Sequence, residues 1–387
     1  MTNFNKITNR RGTGSLKWDV KDNELPMWVA DMDFQTAPCI KEAVLKKAKS
    51  GVFGYQIVPD EWYDAIINWW RTRHNLTIEK NWLCFTTGVV PAITSCVKRL
   101  TNVGDNVVVL TPVYNIFFNS IENSGRHALE CPLAYDGDGY SLDFADLESK
   151  ISHPNSTLLI FCNPHNPVGK VWSKVELSRV GELCAKYGVT VLSDEIHCDL
   201  TEPNVGYVPF ASVSEECRDI SVTAISASKA FSIAGLQSAA VFVPNERLRN
   251  AVVRGLNSDE VAEPNSFACD ATVAAFNEGG EWLDALREHI SQNRKIVAEY
   301  LGKNLPKLKL VEQEATYLLW IDVSRVCDDA KTLCDFIREQ TGLYLNSGNQ
   351  YRGNGRHFVR LNVACPKQTL NDGLRRLKQG IKLFRKK

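Results

Sequence analysis

Residues 221–240 (SVTAISASKAFSIAGLQSAA) place one lysine, Lys229, among small and apolar side chains. The window contains no aspartate or glutamate, so no opposite charge within it can pair with that lysine. Such a lysine loses hydration, which lowers the pKa of its ammonium group and makes the nucleophilic amine accessible, as a Schiff-base lysine requires. Ser226 and Ser228 flank it with hydroxyl groups suited to a phosphate. An exposed lysine in a serine- and alanine-rich loop fits the same window.

Polar and aromatic side chains also follow several predicted strands: Gly88 in a turn that enters a helix, Tyr114, Asn166 in a loop with two prolines, and Asp194. A helix N-terminus favours phosphate, and a tyrosine at a strand end can stack on a planar ring. An acid at the end of a buried strand is costly unless it is paired, so Asp194 is a candidate partner for a buried cation. Each residue taken singly also fits a plain turn, a packed ring or an ordinary loop position.

The strands that must position these groups alternate with helical segments such as 174–187. Short apolar runs predict the strands, and these runs lie at 83–85, 106–110, 157–162, 189–193, 220–225 and 239–243. Continuously apolar strands with helical crossovers predict an α/β fold with a mostly parallel sheet covered on both faces. Ligands of such sheets bind beyond the carboxyl ends of the strands, which is where the side chains above are expected.

The regions outside this sheet differ in pattern. Helices are predicted at 38–50 and 59–74, and residues 245–305 are helix-rich. After Pro306 the pattern predicts a smaller α+β domain, with strands at 316–322 and 357–363 and helices at 329–340 and 367–383.

Composition limits the classes of function. The 387 residues include 45 basic and 45 acidic side chains, and this balance offers no field to attract nucleic acid or an anionic membrane. Twelve scattered cysteines without a CxxC pair indicate reduced thiols rather than a disulfide framework. No apolar run approaches a membrane span and the N-terminus has no signal core, so we expect a cytoplasmic protein without nucleic-acid or membrane partners.

Metal binding is not expected from the spacing of the candidate ligands. Asp31 and Asp33 have no further ligand at suitable spacing, and their segment is better explained as the lining of a cleft. Glu195 and His197, even with His165, do not form a known tight ligand set. His165 is interpreted as a structural or solvent-facing histidine.

An acid, a fixed amide, a ring-stacking aromatic, a phosphate turn and an amine at one edge of a sheet meet the needs of pyridoxal 5′-phosphate (PLP). The carboxylate of Asp194 would keep the pyridine nitrogen protonated, so that the ring accepts electrons from a carbanion at Cα. Asn166 would donate to the phenolate oxygen of the ring. Lys229 would hold the aldehyde and move protons. The set therefore predicts a PLP-dependent protein.

Three segments in this order resemble the fold type I PLP enzymes related to aminotransferases: NPHNPVG (163–169), SDEIH (193–197) and SASKAF (226–231). The chain is similar in particular to the cystathionine β-lyase branch, the bacterial carbon–sulfur lyases, through GSLKWD (14–19), LPMWVADMDF (25–34), SDEIHCDL (193–200) and FVRLNVACP (358–366). The resemblance covers nearly the whole chain. It implies a PLP-binding large domain with a mostly parallel seven-stranded sheet, residues 46–280, and a small domain built from both chain ends, 1–45 and 281–387.

The resemblance assigns roles by position. It implies that Lys229, Asp194 and Tyr114 are catalytic. Arg360, Ala30 and Tyr114 would contact the substrate, with the guanidinium clamping the α-carboxylate through two hydrogen bonds. The cofactor-binding set would be Lys229, Asp194, Asn166, His197, Tyr114, Gly88, Val89, Val90, Ser226, Ser228 and Tyr55.

Three positions qualify this assignment. His197 stands where aminotransferases usually have a tyrosine that also reaches the ring oxygen. Gln237 stands where many of them have an arginine that binds the phosphate, so the phosphate would depend more on neutral donors. Tyr55 is similar to a tyrosine that reaches the phosphate of the neighbouring subunit, which implies a homodimer with shared sites.

The resemblance implies an α,β-elimination that breaks a Cβ–S bond and releases a thiol, pyruvate and ammonia. L-Cystathionine would give homocysteine, L-cysteine would give hydrogen sulfide, and related S-substituted cysteines would react likewise. No counterpart of the arginine that selects acidic side chains is visible, which argues against a dicarboxylate substrate. Two other hypotheses stay open: a PLP-dependent aminotransferase acting on a non-acidic amino acid with the same site, and a PLP-binding regulatory protein that acts by protein contact.

Overall fold

The computed structural model describes residues 3–385, which contain twelve α-helices and fifteen strands. The helices, in chain order, are α1 (Pro38–Ser50), α2 (Asp60–His74), α3 (Val89–Leu100), α4 (Ile116–Glu122), α5 (Phe144–Ile151), α6 (Lys174–Tyr187), α7 (Glu215–Asp219), α8 (Glu246–Ser258), α9 (Ala268–Glu278), α10 (Gly280–Asn304), α11 (Ala330–Thr341) and α12 (Lys367–Phe384). The strands are β1 (Leu25–Pro26), β2 (Leu83–Thr86), β3 (Asn106–Thr111), β4 (His127–Pro132), β5 (Ala134–Tyr135), β6 (Tyr140–Ser141), β7 (Ser156–Cys162), β8 (Thr190–Asp194), β9 (Ser221–Ile225), β10 (Ala239–Phe242), β11 (Lys309–Leu310), β12 (Leu318–Asp322), β13 (Leu343–Tyr344), β14 (Asn346–Ser347) and β15 (Phe358–Asn362).

The largest sheet has seven strands in the order β2-β10-β9-β8-β7-β3-β4. Strand β10 runs antiparallel to both of its neighbours, and the other pairs in the sheet are parallel. The prediction of an α/β fold with a mostly parallel seven-stranded sheet is therefore confirmed. Six of these strands coincide with the predicted apolar runs. The seventh, β4, pairs with β3 alone and is partly exposed, so its sequence lacks the continuous apolar run of a central strand.

Alternation along the strands explains why helices cover both faces. Successive residues of a strand point to opposite faces. Val107 and Val109 of β3 pack in a cluster with α3, α4 and α8, whereas Val108 and Leu110 pack in another with α5 and α6. Burying each such side chain contributes about 1.5–3 kcal/mol of stabilisation.

The helix ends follow local signals in the sequence. Helix α1 has Pro38 at its first position and ends before Gly51, whose φ of 66° lies in the left-handed region that suits glycine. Helix α6 begins with a capping box between Ser173 and Glu176 and ends before Gly188. The predicted segments 38–50 and 174–187 are confirmed by these helices.

A second sheet lies in the C-terminal part of the chain. It is antiparallel, with four strands in the order β11-β12-β15-β14, and helices α11 and α12 follow the predicted positions. The N-terminal strand β1 pairs with β13, which joins the two ends of the chain. The division at residues 46 and 280 stays a prediction, and residues 1, 2, 386 and 387 of the predicted small domain lie outside the described residues. Within residues 3–385, no helix is long and apolar enough to cross a membrane.

Candidate active site

The predicted strand-end residues meet at one edge of the large sheet. Strands β2 and β9 are both antiparallel to β10, so β2 points the same way as the parallel strands and its carboxyl end lies at their edge. A cavity of about 190 Å³ opens there. Its lining includes most of the predicted site residues: Ala30, Gly88, Val89, Val90, Tyr114, Asn166, Asp194, His197, Ser226, Ser228 and Lys229.

Lys229 projects from the connection between β9 and β10. Its Nζ donates to the carbonyl oxygen of Ala30 at 3.1 Å. Burial, and then the positive charge of Arg360, lower the pKa of Lys229, while the charges of Asp31 and Asp194 oppose this shift. The amine is therefore easier to deprotonate than an exposed lysine, as the sequence predicted.

Asp194 is the last residue of β8 and is 4% exposed. Its Oδ1 accepts a hydrogen bond from the backbone N–H of Ile196 at 3.1 Å. Burial raises the pKa of Asp194 to about 6, although that hydrogen bond and the charge of Lys229 lower it. A cationic ring nitrogen beside the carboxylate would compensate for its lost hydration and favour the ionised form.

Arg360 is a buried cation without an acidic partner among the described residues. It lies in β15 of the second sheet and is 3% exposed. One terminal nitrogen donates to Oδ1 of Asn166 at 3.2 Å, and the other donates to the carbonyl oxygen of Trp28 at 3.1 Å. Its Nε is buried without a partner. A carboxylate would satisfy both this nitrogen and the uncompensated charge.

His197 and Tyr114 line the cavity beside these charged groups. Nδ1 of His197 is buried without a partner, and burial together with the charges of Lys229 and Arg360 lowers the pKa of His197 to about 3. The imidazole is therefore neutral. The Tyr114 ring meets Phe117 edge to face at 5.7 Å, and burial raises the pKa of the Tyr114 hydroxyl.

Neutral donors surround the end of the cavity nearest helix α3. No side chain caps the first turn of this twelve-residue helix, and its N-terminal residues line the cavity. At Gly88, which precedes the helix, a Cβ would come within 3.2 Å of Pro91 Cδ. The hydroxyl of Ser226 donates to the carbonyl oxygen of Ser238 at 2.7 Å, whereas the Ser228 hydroxyl has no hydrogen-bond partner among residues 3–385. Free backbone N–H groups at a helix N-terminus favour an anion.

Tyr55 does not reach this cavity. Its side chain is fully exposed, and three apolar neighbours in the same segment, Val52, Phe53 and Ile57, are also exposed. The predicted role of Tyr55 concerns the site of a neighbouring subunit, so it stays a prediction.

Six further residues line the cavity without having been predicted from the sequence. They are Thr87, Pro91, Cys162, Ile196, Ala234 and Ser238. Most of them are next to predicted residues in the chain. They could have been found by including every residue of the turn that follows each strand. Cys162 ends β7, and burial followed by the charge of Asp194 raises the pKa of the Cys162 thiol well above its usual value. Gln237, the predicted departure from the arginine of related enzymes, lines the cavity as well.

The residue after Asp194 has a very different environment. Glu195 is fully buried outside the cavity lining and accepts hydrogen bonds from Ser193 Oγ at 2.7 Å, from the backbone N–H of Phe210 at 3.0 Å and from the Tyr207 hydroxyl. Burial raises the pKa of Glu195 to about 7. All three donors are neutral, so the protein itself completes the hydrogen bonding of this carboxyl.

The residues of the cavity fit PLP. Asp194 suits the ring nitrogen, and the amide nitrogen of Asn166 stays available for the ring oxygen because its Oδ1 accepts from Arg360. The unpartnered Nδ1 of His197 offers a second polar contact. The uncapped start of α3 suits the phosphate, and the Lys229 amine suits the aldehyde.

The fold and the cavity define an α/β protein whose sheet edge fits PLP. Comparison with known proteins identifies its family. The family model described as aminotransferase class I and II matches residues 24–377, and the chain belongs to this family. It is 41% identical over 386 residues to cystathionine beta-lyase PatB of Bacillus subtilis (strain 168), covering 98% of this chain and 100% of the relative. Protein MalY of Escherichia coli (strain K12) is 33% identical over 393 residues, which is 100% of both chains. The crystal structure of cystalysin from Treponema denticola, which contains a pyridoxal 5′-phosphate cofactor, superposes with a TM-score of 0.96 at 32% identity and 99% coverage of both chains.

Proposed function

We propose that this chain is a PLP-dependent carbon–sulfur β-lyase. It converts L-cystathionine to homocysteine, pyruvate and ammonia, and it releases hydrogen sulfide from L-cysteine or a thiol from related S-substituted cysteines. The observation that carries the proposal is a buried arginine, Arg360, that lacks an acidic partner among the described residues and donates a hydrogen bond to Asn166, which lines the same cavity as Lys229. The likeness to PatB over nearly the whole chain supports elimination rather than amino transfer.

Arg360 and Asn166 orient the substrate. The guanidinium binds the α-carboxylate of the amino acid, which supplies the acceptors that its Nε and its charge lack. Asn166 holds the guanidinium through Oδ1 and keeps its amide nitrogen for the ring oxygen of the cofactor. This amide therefore sets the position of the substrate relative to the cofactor.

Lys229 moves the proton, and PLP supplies an electron sink for Cα when it is bound. The neutral amine of Lys229 removes the Cα proton. The electron pair of that C–H bond forms the Cα–Cβ double bond, and the Cβ–S pair leaves with the sulfur, which takes up a proton to become the thiol. Water then hydrolyses the remaining three-carbon fragment to pyruvate and ammonia. Asp194 would hold the ring nitrogen of the bound cofactor, and its carboxylate would favour the protonated form of that nitrogen.

The assembly is proposed to be a homodimer. The exposed segment with Val52, Phe53, Tyr55 and Ile57 leaves apolar side chains in water, and a second copy would cover them. Tyr55 would then reach the phosphate of the neighbouring site, where Gln237 leaves the phosphate without an arginine. We place this enzyme in the cytoplasm, with amino acids rather than nucleic acid or membrane as its partners.

The test is release of pyruvate from L-cystathionine by purified, PLP-loaded protein without any keto acid. Stoichiometric pyruvate and free thiol are expected. Amino transfer that appears only after a keto acid is added would replace the lyase with an aminotransferase. PLP binding with neither product would instead favour the protein acting through protein contact.

A further inference from the structure

A group of potential metal ligands lies outside the active-site cavity. His74, Cys198 and Asp199 are buried, and one ligand atom from each lies within 4.8 Å of the others. This is the one group of its kind found among residues 3–385. The sequence did not reveal it, because 123 residues separate His74 from the next member in the chain.

The structure holds two of the three side chains in place. His74 ends α2, and its ring packs between Trp70 at 4.8 Å and Tyr207 at 5.2 Å. Its Nε2 lies 2.9 Å from Oδ1 of Asp199, and the same oxygen accepts a hydrogen bond from Trp69 Nε1 at 3.0 Å. A ligating carboxylate is typically oriented by such an outer hydrogen bond. The Trp69 N–H can stay on Asp199 while a metal replaces the contact with His74.

Space for a fourth ligand adjoins the group. A cavity of about 230 Å³ is lined by His74, Cys198 and Asp199 together with Gly206 and Tyr207. Imidazole, thiolate and carboxylate are the ligands that Zn²⁺ prefers, and three protein ligands with one open position for water form a common zinc geometry.

The charges in this cavity are compatible with a divalent cation. A thiolate and a carboxylate neutralise Zn²⁺, so the filled site carries no net charge. Arg73 and Arg287 line the same cavity but are bound elsewhere: Arg73 donates to Asp284 at 3.0 Å, and Nε of Arg287 donates to the carbonyl oxygen of Thr201 at 3.0 Å. A neutral cluster does not repel these guanidinium groups.

We propose that His74, Cys198 and Asp199 form a zinc site that is separate from the PLP cavity. The ion joins the end of α2 to the turn Cys198–Leu200 that follows β8. Because this turn comes directly after His197, the site stabilises the chain segment on which the cofactor contacts lie. The proposal does not depend on the lyase activity.

Cobalt titration tests the site, since Co²⁺ occupies zinc sites and reports thiolate ligands by its visible and near-ultraviolet absorption. The PLP-loaded protein is first freed of metal with a chelator and then titrated with Co²⁺. One equivalent per chain is expected to bind with a thiolate charge-transfer band, and Zn²⁺ is expected to displace it. Cys198→Ser should lose the band, and Trp69→Phe should weaken binding about 10–100-fold.

Two further variants make the result decisive. Cys217→Ser removes another buried free thiol and should bind cobalt like the parent protein. His74→Gln provides a second disruption if Cys198→Ser does not fold, and retention of the PLP absorption shows that each variant is folded. Absence of stoichiometric cobalt binding by the parent protein would overturn the proposal. Binding unchanged in Cys198→Ser and His74→Gln would do the same, and would leave His74 and Asp199 as a hydrogen-bonded pair only.

Discussion

Asp194 and Glu195 are adjacent, buried acids that face different surroundings. The two surroundings differ in how many hydrogen-bond partners the protein itself provides. Glu195 accepts from three neutral donors. Facing the cavity, Asp194 has one backbone donor and Nδ1 of His197 has no partner. Arg360, which donates to the cavity residue Asn166, has an Nε without a partner as well. Buried polar groups are normally hydrogen-bonded. The side with incomplete hydrogen bonding is therefore the one prepared for ligands, and the completed side holds the strand end in place.

The strongest test of the cavity side is Lys229→Ala. Removing the amine should lower turnover of L-cystathionine by about 10³–10⁴-fold, because the proton at Cα loses its base. Pyruvate release at saturating substrate measures the effect, and thermal melting shows whether the fold persists. Appreciable β-elimination by the folded variant would refute the role of Lys229.

Asp194→Asn should have the next largest effect. An amide cannot stabilise a cationic ring nitrogen as a carboxylate does, so turnover should fall by about 10²–10³-fold. The rate is compared at full cofactor occupancy, judged from the PLP absorbance, so that loss of binding is not mistaken for loss of chemistry. Near-normal turnover with PLP fully bound would contradict the assignment.

Arg360→Lys tests whether the guanidinium of Arg360, which has no acidic partner within residues 3–385, binds the α-carboxylate of the substrate. An ammonium group cannot form the two parallel hydrogen bonds of a guanidinium, so kcat/KM should fall by about 10–100-fold, which corresponds to about 1.4–2.7 kcal/mol. Arg294→Lys is the matched control: this arginine pairs with Glu202 and donates to the carbonyl oxygens of Gln313 and Thr316. It should lower the melting temperature and leave KM unchanged. Equal losses of kcat/KM in both variants would remove the distinction between them.

Glu195→Gln should have the smallest effect on turnover and a clear effect on stability. The pKa of Glu195 is raised to about 7 in the folded protein, so between about pH 4.5 and pH 7 the folded state binds more protons than the unfolded state. Its contribution to stability is therefore present at low pH and is lost as the pH rises through 7. The variant should gain up to about 3 kcal/mol at pH 8 relative to pH 5, compared with the parent protein. Denaturant unfolding at the two pH values measures this, and a parallel pH dependence in both proteins would show that Glu195 does not carry it.

The strand-end residues of the cavity could be predicted from the sequence, whereas the long-range contacts and the edge strand around it could not. Asp194 ends one apolar strand and Lys229 follows another, so their positions at the sheet edge could be predicted from the local pattern. The contact between Arg360 and Asn166 spans 194 residues and joins strand β15 of the second sheet to the loop after β7, and no local pattern encodes it. The role of Arg360 came from family resemblance alone. The edge strand β4 was missed because one exposed side weakens its apolar pattern.

All twelve cysteines are free thiols, ranging from Cys39 to Cys365. A lyase of the proposed kind releases hydrogen sulfide or homocysteine. The deprotonated forms of these products break disulfides by thiol–disulfide exchange. A protein held together by such bonds would be attacked by what it makes. This fold depends on packing and hydrogen bonds instead, and burial raises the pKa of Cys162, the cysteine that lines the cavity, so that it stays a poorly reactive thiol. The folded enzyme is therefore not expected to be reduced or modified by the thiol that it releases.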